Sequence, residues 1–146
     1  MRFSKTGDTL LNFLFSETKI MKLTGRIIFI YACLSGTASI LLSAYVAHIV
    51  NLEEISQRAL QSALSHQQFH TLALLFLGWL IQKSKRNLWL LLSTIFFICG
   101  IFFFSFNIVV QQLFGILYLK AFTPLGGVSF ILGWLLLALF GMYDND

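Results

Sequence analysis

Three stretches of the chain carry no charged residue and are long enough to cross a bilayer as helices: Ile27–Val50, Leu88–Val110 and Pro124–Met142. A helix rises about 1.5 Å per residue, so the 24 residues of the first cover about 36 Å, more than a hydrocarbon core of about 30 Å. A fourth stretch, the second in chain order, is weaker. Its wholly apolar part is only Leu72–Ile81, and it reaches spanning length by including Ala63–Thr71, which holds His66, Gln67, Gln68 and His70. A helix that dips into the interface and returns is the rival for that segment. Polar connectors separate the stretches: Asn51–Gln61, the basic loop of Lys83, Lys85 and Arg86, and Gln111–Phe122. Thr123 is placed to cap the last helix, and Pro124 suits its first position, where no N–H is needed.

Charge decides between a span and a dip. Arg2, Lys5, Lys19, Lys22 and Arg26 precede the first stretch, and Lys83, Lys85 and Arg86 lie between the second and third. Four crossings put these residues on one side and leave Arg58 and Lys120 on the other, the asymmetry that marks a cytoplasmic face. Trp79 and Trp89 flank the basic loop, as interfacial aromatics do. The expected fold is all-α: a compact bundle of four transmembrane helices at about 27–50, 63–82, 88–110 and 124–142, with both ends in the cytoplasm. Residues 26–143 then form the membrane domain, 1–25 a cytoplasmic segment and 144–146 a cytoplasmic tail. Thr9–Phe15 is apolar but too short to span and suits the membrane surface. Met21 opens a second start, which makes residues 1–20 read as an extension. A signal peptide is disfavoured because its apolar core lasts only about 7–15 residues. A lipoprotein cleavage box at Ile30–Cys33 is disfavoured by the bulk of Tyr31.

Composition agrees. The chain is 58% hydrophobic and 11% charged, with mean hydropathy +0.82, whereas a soluble domain is about a quarter charged. The net charge of +4 does not point to nucleic acid, because the basic residues sit beside the spans. Cys33 and Cys99 lie in apolar stretches without a CxxC and read as small packing residues. Ser35, Ser39, Ser43 and Ala47 recur every four residues, and Gly126, with Gly127 beside it, leads Ser129 and Gly133 along the last stretch. Small residues at such spacing let helices approach closely in lipid, either inside the bundle or across a dimer face.

The expected topology gathers polar residues toward the outer side. His48 ends the first stretch, and His66 and His70 stand one turn apart at the start of the second, with Gln67 bordering their face. Asn107 and Thr123 belong to the same half, so the candidate polar site is His48, His66, Gln67, His70, Asn107 and Thr123. Its first reading is a hydrogen-bonded network that fixes helix register, since lipid offers polar groups no partner. Its second is a pocket open to the periplasm for a small polar molecule or a quinone headgroup. Its third is a metal or haem site on the three histidines. No stretch contains Asp or Glu to support such a site, and no acid–base pair or activated serine supports catalysis. No enzyme activity, cofactor or metal is therefore expected.

Ser43-Ala44-Tyr45-Val46-Ala47-His48, His66-Gln67-Gln68-Phe69-His70-Thr71-Leu72-Ala73, Thr123-Pro124-Leu125-Gly126-Gly127 and Gly133-Trp134 follow one another in this order. Together they resemble the small bacterial inner-membrane proteins grouped as domain of unknown function 423 (uncharacterised protein family 0382, YgdD-like). The eukaryotic transmembrane protein 256 belongs to the same group. The resemblance runs from about Met21 to Gly141 and supports Met21 as the family-like start. Where the family pattern has Tyr-Gln-x-x-His, His66 stands in place of the tyrosine, leaving His48, Gln67 and His70 as the matching polar set. Phe104–Val109 departs from the family's Phe-Ser-Gly-Ser-Leu-Tyr. The resemblance implies four helices in a plasma membrane and no biochemical role. The expected function is that of a non-enzymatic accessory or interaction subunit, with the bilayer and a membrane protein or a second copy as partners. A channel or transporter for a small neutral or polar solute is the alternative, and histidine-based cofactor binding a further one.

Overall fold

The computed structural model describes residues 4–48, 52–84 and 87–143, and these are helical almost throughout. Helix α1 spans Ser4–His48 and α2 spans Glu54–Lys83. A third rod is built from α3 (Leu88–Gly100), a π-helical turn (Ile101–Phe106) and α4 (Asn107–Phe114). A 3₁₀ turn, Leu117–Phe122, leads into α5 (Thr123–Tyr143). The helices over Ser16–His48, Leu88–Phe114 and Lys120–Tyr143 are long and apolar enough to cross a membrane. The 30-residue α2 is not among them, because its polar first half lowers its hydropathy.

Several boundaries differ from expectation for identifiable reasons. Residues 4–48 form one unbroken helix, so Thr9–Phe15 is not a separate surface turn. The intervening charges do not stop a helix; proline does, and α1 has none. Helix α2 begins at Glu54, well inside the expected connector, because Glu, Gln, Arg, Ala and Leu are all good helix formers. The third rod runs on to Phe114 and ends at Gly115, whose φ of 69° is the left-handed geometry glycine supplies at a helix C-terminus. Its start is capped by Asn87, whose side chain accepts the Trp89 N–H at 3.0 Å. Thr123 is not an N-cap: its backbone is already helical (φ −55°, ψ −43°) and its hydroxyl turns to α4 instead. Arg2, Lys85, Arg86, residues 49–51 and the 144–146 tail lie outside the described residues.

The packing makes two hairpins. Helix α1 lies along α2, and α3 lies along α5. The first hairpin is closest where Gly25 meets Gly78: a Cβ on Gly78 would stand 2.8 Å from the Phe29 backbone nitrogen and 3.0 Å from the Gly25 carbonyl oxygen. Ser35 and Ser39 are buried in the same seam, Ser43 is half-buried and Ala47 is exposed. At its far end Val46 packs with Leu60 and Leu64. Between the hairpins lies a core of Leu74, Leu77, Leu90, Phe97, Ile101 and Phe130. The π turn bears on α5 through Gly126, where a Cβ would meet the backbone of Phe103 and Phe104. Regular winding in α3 lets Thr94 donate to the Leu90 carbonyl at 2.8 Å, whereas in the π turn the fully buried Ser105 hydroxyl has no partner.

Candidate functional site

The polar residues that the sequence singles out fall into three groups. The first is the α1–α2 seam. Gln67 Nε2 donates to the Ser35 carbonyl and hydroxyl oxygens, both at 3.2 Å, and Ser35 shares a 3.1 Å hydroxyl contact with Thr71. Further along, Gln68 Nε2 donates to Ser43 Oγ at 3.3 Å, while Ser43 and Ser39 donate to the carbonyls of Ser39 and Gly36.

The second group surrounds His70, which is 4% exposed. Its Nδ1 lies 2.8 Å from the His66 carbonyl oxygen, and its Nε2 accepts from the Trp134 indole N–H at 3.2 Å. A carbonyl only accepts and an indole N–H only donates, so these partners fix one tautomer: the proton sits on Nδ1 and the ring is neutral. The ring stacks on Phe130 with centroids 3.6 Å apart and planes 10° apart, and Phe97 and Phe69 close its sides. One turn away, His66 bonds through Nδ1 to the Ser62 carbonyl at 2.8 Å and leans on Phe104, but it is exposed. Ser93 ties the same hairpin by donating to the Gly133 carbonyl at 2.8 Å.

The third group joins the two ends of the 3₁₀ turn. Asn107 Nδ2 and Gln111 Nε2 both donate to Thr123 Oγ1 at 3.2 Å, and Gln111 also donates to Asn107 Oδ1 at 3.1 Å. Asn107 and Gln111 are buried.

The residues expected to form one outer cluster are thus divided. His66 and His70 share a face, their rings stacked at 6.3 Å, and Asn107 meets Thr123. Gln67 turns away from the histidines toward α1. His48 is the exposed last residue of α1 and joins none of the three groups. Because α2 starts at Glu54, His70 lies midway along it, against the middles of the third rod and α5, rather than at an outer rim. Among the described residues no three His, Cys, Asp or Glu side chains come close enough to hold a metal ion. Sequence reasoning leaves Ser93 and Gln111 out of the candidate site, and places Trp134 and Thr71 only among the residues that carry the resemblance. Gln111 stands four residues after Asn107, the spacing that puts two amides on one helix face, and a buried indole N–H usually finds an acceptor.

Comparison with known proteins returns proteins without an assigned activity. The family model described as "Protein of unknown function (DUF423)" matches residues 42–127. The UPF0382 inner membrane protein YgdD of Escherichia coli K12 is 32% identical over 117 residues, 79% of this chain and 88% of that protein. A UPF0382 membrane protein of Staphylococcus epidermidis is 31% identical over 121 residues, 78% of this chain and 93% of its own. No solved structure matches.

Proposed function

This chain belongs to the DUF423 (UPF0382) family of membrane proteins, and from that premise we propose that it crosses the inner membrane four times, both ends inside, as a non-enzymatic accessory subunit of a larger membrane assembly. The crossing by α2 is supported by its partner. Contacts along α1 run from Gly25 against Gly78 to Val46 against Leu60. Those 22 positions of α1 cover about 33 Å, enough for a hydrocarbon core of about 30 Å. A helix bound alongside another over that length shares its path. The charge asymmetry between the ends of the spans then sets the direction.

The observation that carries the accessory role is the support of α1. This 45-residue helix, about 68 Å long, makes its extensive contacts with α2, while Ile27, Ile30, Leu34, Ile40 and Leu41 stay exposed. Meanwhile the polar atoms of His70, Gln111 and Ser93 are engaged inside the protein, which leaves little free chemistry for catalysis. A photo-crosslinking residue placed at Ile30 or Leu41 is expected to capture one defined membrane protein in native membranes, and the same residue at Ile131 on α5 to capture lipid. Adducts with lipid or a second copy alone at Ile30 and Leu41 overturn the accessory reading.

A further inference from the structure

The space between α1 and the third rod is a cavity of about 480 Å³ lined by Tyr31, Leu34, Ser35, Ala38, Gln67, Phe102 and Phe106, among others. Its volume lies in the range of small-molecule sites, roughly 300–1,000 Å³. One wall is aromatic: Phe102 and Phe106 stack with centroids 5.5 Å apart and planes 15° apart, and both are more than half exposed. Tyr31 stands among the residues of the α1 wall. No charged side chain lines the space, so a bound molecule must be neutral. The cavity exists because α1 is held by α2 and does not close onto the third rod, and in the membrane such a gap faces lipid.

Gln67 sets the chemistry. Its amide nitrogen is spent on Ser35, and among the described residues no donor reaches its Oε1. An amide carbonyl in lipid finds no water to satisfy it. An acyl chain fills the volume but offers no proton. The geometry points to a binding site for a neutral, lipid-soluble aromatic alcohol, its ring against Phe102 and Phe106 and its hydroxyl donating to Gln67 Oε1. The same arrangement gives selectivity: a ligand of equal shape without the hydroxyl leaves the acceptor unpaired, a discrimination that hydrogen-bonding sites make well.

Retention of para-decylphenol and of its methyl ether by the full-length protein in phosphatidylcholine nanodiscs, each corrected against empty nanodiscs, tests the site. The phenol should bind stoichiometrically and the ether about tenfold more weakly, the loss expected for one buried hydrogen bond. Gln67→Leu should remove the difference between the two. Ala38→Trp, at an exposed position that need not disturb the α1–α2 seam, should block both. Equal retention of phenol and ether, retention unaffected by Ala38→Trp, or no retention of the phenol by the intact protein overturns the proposal.

Discussion

Replacing Gly126 with alanine is expected to destabilise the protein by about 1–3 kcal/mol, while the same change at neighbouring Gly127 is expected to stabilise it by up to about 1 kcal/mol. A Cβ on Gly126 would stand 2.7 Å from the Phe103 carbonyl carbon, well inside van der Waals contact. Backbone in a helix cannot swing aside as a side chain can, so α5 has to back away from the π turn. That loosens the Phe130 packing and strains the bonds from Asn107 and Gln111 to Thr123. At Gly127 a Cβ meets nothing within 4 Å, and only the helix-forming advantage of alanine remains. Reversible unfolding of the two variants in mixed detergent micelles gives both signs in one experiment. Equal effects at the two positions would mean that α5 does not rest on the π turn.

The second large effect is expected at His70. His70→Ala removes a buried ring that stacks on Phe130 and touches Phe97, and it leaves the Trp134 N–H without its acceptor. Cavity formation and the lost bond together should cost about 2–5 kcal/mol. Trp134→Phe, which keeps an aromatic body, should cost less. Combined in a double-mutant cycle, the two should couple by about 0.6–1.7 kcal/mol, the span from average to strongest for interhelical hydrogen bonds in membranes. A coupling of zero, or full stability in His70→Ala, would make His70 a group held for a ligand rather than for the fold.

How much of this was legible in advance depends on what each signal reports. Absence of charge marks α1, the third rod and α5 well, because hydropathy over about 20 residues is what the bilayer selects. It marks their ends poorly. Residues 54–62 are mostly polar yet include good helix formers, so the connector reading of Asn51–Gln61 places the start of α2 too late and His70 too near the rim. The stripe from Ser35 to Ala47 identifies the face that α1 turns to α2 as far as Ser43, but the closest approach, at Gly25 and Gly78, involves glycines with no neighbouring pattern to betray them. Nothing in Ile101–Phe106 signals a π turn. At the candidate site, the residue types were readable and their grouping was not. Gln67 and His70 are three residues apart, yet one serves α1 and the other α5, since α2 is packed on both sides.

The path of α2 through the membrane is the claim on which the topology rests, and impermeant-maleimide labelling tests it most directly. With Cys33 and Cys99 replaced by alanine, single cysteines are placed at Glu53, Ser84 and Tyr143, at the two ends of α2 and the end of α5. In spheroplasts the cysteine at position 53 should react from outside, and those at 84 and 143 only after permeabilisation. Labelling of positions 53 and 84 from the same side would show that α2 turns back without crossing, and would contradict the four-crossing account.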